Sequence, residues 1–258
     1  MYCKNCEATV ESSANYCPNC GARFIHNRLS VKILWEDLSS RFLDYDNTFL
    51  VTFAHLFTKP EQVIEGYLSG LRKRYMNPLS YFGVALSLSG ILLFVTQKVA
   101  DRINWDLFEQ GLNPELTAKL TSIVFDFSSF IFLFFIPIFA FSGWLAFNKK
   151  NYFFSEFVIA FIFMLGHWSI ATFVPVLCIL LLVPNHYMDL SFPSMVFMGG
   201  YAVYCLQRIN RYPAGKLLLR TAFFSILVFI GYVGLVVLFY AILFATGTVT
   251  LEDFRPVR

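Results

Sequence analysis

Charge is scarce in this chain. Asp, Glu, Lys and Arg make up 14% of its 258 residues, against roughly 25% in soluble domains. With 57% apolar residues, it cannot clothe one or two soluble domains in polar side chains, and its few charges are segregated so that long uncharged runs remain. A strong basic excess is also missing. The formal net charge is +3 and no Lys/Arg stripe runs through the polar segments, so nucleic acid is not an expected partner. No basic-then-apolar leader opens the sequence, and the first hydrophobic run is expected to act as its own insertion signal. Catalytic signatures are lacking too. There is no glycine-rich phosphate loop, no Ser-His-Asp set and no His-Glu-x-x-His helix. An intramembrane enzyme needs several convergent acids, nucleophiles or ligands at one depth; here the ionisable groups are scattered, and the sequence leans away from an enzyme.

What is present is hydrophobic length. A helix needs about 20 apolar residues to cross a bilayer, and five runs qualify: 79–98, 121–147, 154–183, 189–206 and 218–246. The fourth is short and interrupted by Pro193 and Gly199-Gly200. The expected fold is an all-α integral membrane protein, a five-helix transmembrane bundle ending in a short polar tail, 247–258. Loop charge sets the threading. Nine Lys or Arg residues precede the first run, Lys149 and Lys150 follow the second, and Arg208, Arg211, Lys216 and Arg220 follow the fourth. The alternate loops are acidic on balance or carry no Lys or Arg. By the positive-inside rule the N-terminus is cytoplasmic and the C-terminus outside.

Cys3-Lys-Asn-Cys6 and Cys17-Pro-Asn-Cys20 form two Cys-x-x-Cys knuckles ten residues apart within residues 1–27. Each turn aims two sulfurs at one point. Four thiolates at about 2.3 Å complete a closed, structural zinc (Zn2+) site that activates no water. Two disulfides are the competing reading and would require an oxidising compartment. The expected head is a four-cysteine zinc ribbon. Lys4, Arg23 and Arg28 are nearly balanced by Glu7 and Glu11, so a protein partner suits it better than phosphate.

Residues 28–80 carry amphipathic, juxtamembrane helices: one from Ser30 to about Leu43, one around Phe49 to Phe57, and one opened by Pro60. They can form a small soluble bundle or lie flat on the lipid surface, the latter being favoured by their many rings. Arg72, Lys73 and Arg74 then form a basic cluster at the membrane interface. It is a topology determinant first and a contact for anionic lipid head groups second. The succession of zinc ribbon, Arg28-Leu29-Ser30, Thr52 to Leu56, Lys59-Pro60, Tyr67 to Tyr75 and Asn77-Pro78 resembles domain of unknown function 3667, a family of bacterial zinc-ribbon, multi-span membrane proteins found mostly in Bacteroidetes. The resemblance implies a place in the bacterial cytoplasmic (inner) membrane and lends no catalytic residues.

Three acids or bases in the apolar runs are candidates at membrane depth. Asp126 lies near the outer end of the second. Glu156, at the start of the third, is expected to pair with Lys149 or Lys150. His167 sits in the middle of the third run, where a charge is costly. Either it is a neutral histidine hydrogen-bonded between helices, or it lines a cavity, ligand site or proton relay, with Asp126 as a second polar candidate. Glycines 199, 200, 231 and 234 suit close helix approach, and Cys178 and Cys205 suit packing. Two functions follow. One is a non-enzymatic adaptor or regulator whose zinc-stapled head contacts a protein. The other is a transport or lipid-handling protein built around His167.

Overall fold

The computed structural model describes the backbone of residues 2, 3, 5–11, 14, 16–20, 48–71, 74–104 and 114–250, and the side chains of all of these except 114–119, 121, 124–132 and 192. The expected helix from Ser30 to Leu43 and the polar tail beyond 250 lie outside the described residues. The chain divides into two compact units, Met1–Asn47 and Thr48–Arg258.

The second unit is helical throughout its described length: α1 Thr48–Thr58, α2 Pro60–Leu68, α3 Pro78–Lys98, α4 Pro114–Phe147, α5 Phe154–Leu182, α6 Tyr187–Asn210 and α7 Ala214–Ala245, with short 3-10 turns at Ala100–Arg102 and Pro184–His186. Local chemistry explains several boundaries. Pro60 and Pro78 occupy first-turn positions, where a missing N–H costs nothing. Asn77 caps α3 by accepting from the Leu79 amide at 2.9 Å. The α6 helix stops at Arg211, whose φ of +52° is left-handed, and Gln207 brackets the turn by bonding both the N–H and the C=O of Tyr212.

Three of these helices, α3, α5 and α7, are long and apolar enough to cross a membrane, and α4 adds an apolar stretch at Leu133–Phe147. The α5 helix is the hub. Its Phe161, Phe163 and Met164 are buried in one cluster with Phe139, Ala140 and Phe147 of α4, Ala202 and Leu206 of α6, and Phe224 of α7. The α7 helix is peripheral, with Leu218, Leu219, Phe229 and Val237 all exposed, as suits a helix facing lipid.

Not every expected packing residue packs. A Cβ on Gly231 would lie 2.5 Å from Ile138 Cγ2, so that glycine does permit α4 and α7 to approach. Gly199, Gly200 and Gly234 face open space instead. Cys205 is buried, whereas Cys178 is exposed because it falls on the outward face of α5.

The amphipathic segments differ most from expectation. Leu56, Val63 and Ile64 of α1 and α2 are fully buried in the same cluster as Phe161 and Leu206. Part of their apolar faces is therefore covered by α5 and α6, while Leu50 and Phe57 of α1 stay exposed. The reason is polar as well as apolar. The hydroxyls of Tyr201 and Tyr204 on α6 donate to the Leu56 and Phe57 carbonyls, each at 3.1 Å, satisfying the C-terminal acceptors that a helix end otherwise leaves bare.

Candidate functional site

Two constellations carry chemistry, and they belong to different units. In the first unit, Tyr2 and Thr9 form an isolated antiparallel bridge, and the turn between them closes through Glu7 N–H to the Cys3 carbonyl at 2.8 Å. Glu7 takes a positive φ of 58° there. This bend brings the first knuckle against the second. Cys3 Sγ lies 3.6 Å from Cys20 Sγ, and Cys6 Sγ lies 3.6 Å from Cys17 Sγ. All four sulfurs fall within 4.8 Å of one another. Four sulfurs placed tetrahedrally at about 2.3 Å from one ion stand about 3.8 Å apart, so the donor set fits a metal of that kind. Cys3 and Cys17 are buried against Val10, and Asn19 Nδ2 donates to Cys6 Sγ at 3.7 Å, a contact suited to a thiolate acceptor. The four cysteines can hold a metal ion and leave no side open for chemistry on it.

The second constellation surrounds His167. Thirteen residues past Phe154, it stands about 20 Å along α5 at 1.5 Å per residue. Its Nδ1 is 2.8 Å from the Tyr81 hydroxyl at the start of α3. Four rings surround the imidazole: Phe57 with centroids 4.3 Å away, Phe53 at 5.0 Å, Tyr201 at 5.4 Å and Tyr81 at 6.4 Å. Nε2 is buried with no hydrogen-bond partner. The α1 helix supplies two of those rings and so covers the histidine. It is held down by Tyr201 and Tyr204, by the Met76 N–H donating to Thr52 Oγ1 at 2.9 Å, and by His55 Nδ1 lying 3.1 Å from the Tyr75 hydroxyl.

The α2 helix is latched by charge. Arg208 at the end of α6 reaches Glu61 with both oxygens engaged, Nη2–Oε1 at 2.6 Å and Nε–Oε2 at 3.0 Å. Glu65 Oε1 accepts from Lys150 and from the Tyr152 hydroxyl, the latter at 2.7 Å. Burial and the Glu65 carboxylate push the Tyr152 phenol above its ordinary value. The Arg208 fork holds the Glu61 carboxyl below its ordinary range. A depressed carboxylate stabilises the folded form above its unfolded pKa and loses that effect as pH falls through the folded value. With each rate divided by the intrinsic exchange rate at that pH, backbone amides of Val63 and Ile64 are therefore expected to lose protection as the solution is acidified below the carboxylate range. Arg208→Gln should raise exchange already at neutral pH and flatten the acid dependence; an unchanged profile in that variant would show that the latch does not depend on this pair.

Glu156 does not pair with Lys149 or Lys150. Its Oε2 accepts the Phe153 N–H at 2.7 Å and caps the start of α5, while Lys150 is drawn to Glu65 on α2. Asp126 falls on α4 with its side chain outside the described residues, and Arg72 and Lys73 lie outside the described residues altogether. Arg74 is exposed, 5.7 Å over the Tyr75 ring. Sequence reasoning missed Glu61, Glu65, Tyr201 and Tyr204. Arg208 had a signal, but one that read only as loop charge.

No curated protein and no solved structure matches the chain. Residues 46–90 match the family model described as "Protein of unknown function (DUF3667)". The matched segment holds α1, α2, the loop to Asn77 and the first part of α3, which together supply the Tyr81 hydrogen bond and three of the four rings around His167, Tyr81's included. Over that segment, residues 46–90, the chain is similar to the DUF3667 family, whose function is unknown.

Proposed function

We propose that this protein is a non-enzymatic membrane adaptor or regulator: five helices cross a bacterial inner membrane, and a zinc-stapled head on the cytoplasmic side docks a protein partner. The observation that carries the reading is the convergence of four thiols on one point. Such a site fixes the shape of a small head and performs no reaction of its own. The reducing cytoplasm keeps thiolates available, which agrees with the orientation given by loop charge. Alongside α3, α5 and α7, the proposal takes α4, 34 residues long, and α6, 24 residues long, as the remaining spans; at 1.5 Å per residue each exceeds about 30 Å.

The test is cross-linking in cells followed by purification in mild detergent, with the full-length chain and with a chain lacking residues 1–27. Both are expected to insert, and only the full-length chain to retain a stoichiometric protein partner. A partner held equally well without the head would overturn the adaptor role. On intact cells, a membrane-impermeant protease should spare the head, and cleavage there would overturn the orientation.

A second reading, transport or lipid handling around His167, draws on one atom, the buried and unpartnered Nε2. The four rings packed about that imidazole favour a dry, filled interior over a solvated path, so the adaptor reading stands first.

A further inference from the structure

A cleft of about 600 Å³ opens beside α2, and nine of its eleven lining residues belong to the matched segment 46–90. Its walls come from α2, from the loop carrying Arg74 and Tyr75, and from Tyr152 and Glu156 at the entry to α5. The volume lies within the roughly 300–1,000 Å³ usual for small-molecule sites.

The cleft's charges are divided between committed and uncommitted atoms. Glu61 spends both oxygens on Arg208. Glu65 spends Oε1 on Lys150 and Tyr152, and Glu156 spends Oε2 on the Phe153 amide. Among the described residues, Glu65 Oε2 and Glu156 Oε1 receive no further hydrogen bond, and Arg74 makes no ion pair. Among the described lining residues, one guanidinium and two carboxylate oxygens thus remain to meet a ligand. A purely anionic ligand would satisfy Arg74 and be repelled by the carboxylates; a purely cationic one would meet the reverse. A molecule bearing a phosphate and a primary ammonium a few bonds apart satisfies both, because phosphate suits a guanidinium fork and an ammonium supplies three donors to carboxylate acceptors.

We propose that this cleft binds a zwitterionic phospho-amine, with its phosphate on Arg74 and its ammonium on Glu65 and Glu156. A phosphatidylethanolamine head group and free phosphoethanolamine share that chemistry. The inference rests on the membrane reading, since the cleft lies at the end of α5 and α6 that carries Lys149, Lys150, Arg208 and Arg211, the side where loop charge puts the cytoplasmic head groups.

The experiment uses delipidated full-length protein in a neutral detergent, titrated calorimetrically with dihexanoyl phosphatidylethanolamine, with dihexanoyl phosphatidylglycerol and with O-phosphoethanolamine. The amine-bearing lipid is expected to bind at least about tenfold more tightly than the glycerol lipid. Arg74→Gln should weaken it by about tenfold, the loss of one charge-assisted contact, and Arg74→Lys should recover part of that. Because Arg74 is exposed, these variants are expected to fold as the parent does, which unchanged thermal unfolding would verify. Tighter binding of the lipid than of O-phosphoethanolamine supports a head group as the source, and equal binding supports the free compound. Equal affinity for both lipids, or no effect of Arg74→Gln, overturns the proposal. Resistance of the protein to carbonate extraction is scored separately, so failure of the cleft and failure of the membrane reading are told apart.

Discussion

Full-length protein with Cys17 and Cys20 replaced by serine is expected to purify with no bound zinc, against one equivalent in the parent, and to lose the folded head while keeping its membrane helices. The magnitude follows from how little else holds the head. Among the described residues its buried apolar side chains are Cys3, Val10 and Cys17, two of them candidate ligands, and its backbone pairing is confined to isolated bridges and turns. Structural zinc contributes apparent binding free energies of about 10–16 kcal/mol at neutral pH in small metal-dependent domains, far more than those contacts supply. Removing two ligands of four leaves an open pair of thiols, and the entropy of ordering the loop is no longer offset. Elemental analysis of the purified protein reads the zinc, and limited proteolysis reads the fold. A variant that still binds one equivalent of zinc and resists proteolysis over residues 1–20 would show that the cysteines are not the ligand set. The α-helical signal by circular dichroism should change little, since the helices from Thr48 onward form a unit of their own.

The apolar length of α3, α5 and α7 and the cysteine spacing are legible in the sequence, because both are local signals. Lipid length is measured along one helix, and Cys-x-x-Cys geometry is set by one turn. Pro60 and Pro78 likewise announce helix starts through their own backbone chemistry. What could not be read was which surface covers α1 and α2. Their faces are amphipathic in either setting, and the residues that decide the matter, Tyr201, Tyr204 and Arg208, lie about 145 positions away. The same distance hides the role of Glu156. Sequence proximity to Lys149 and Lys150 suggests an ion pair, yet the helix-capping amide is nearer and Glu65 competes for the lysine. Glycines show the limit in the other direction, since Gly231 and Gly234 look alike in sequence and only Gly231 meets a neighbouring helix.

Replacing Tyr81 with phenylalanine and His167 with phenylalanine, singly and together, should give strongly non-additive losses of stability. The hydroxyl of Tyr81 and Nδ1 of His167 are buried and satisfied by one another at 2.8 Å. The remaining nitrogen decides the tautomer. If Nδ1–H donated to the phenol, a bare Nε2 lone pair would face aromatic rings, which repel it. With Tyr81 donating to Nδ1, the proton sits on Nε2 among aromatic rings, the Phe57 centroid lying 4.3 Å from that of the imidazole, where a weak but attractive N–H···π contact replaces the repulsion. Each single substitution strands one buried polar group and should cost about 1–3 kcal/mol. The double substitution strands neither, and the added rings occupy similar volume among Phe53, Phe57 and Tyr201, so its cost should fall short of the sum by about 1 kcal/mol or more. Thermal or denaturant unfolding in one detergent supplies all four corners of the cycle. Strict additivity would mean that the two groups do not satisfy one another in the folded protein, and His167 would then have to find its partner in water or a ligand, which is the condition a transport or lipid-handling function requires.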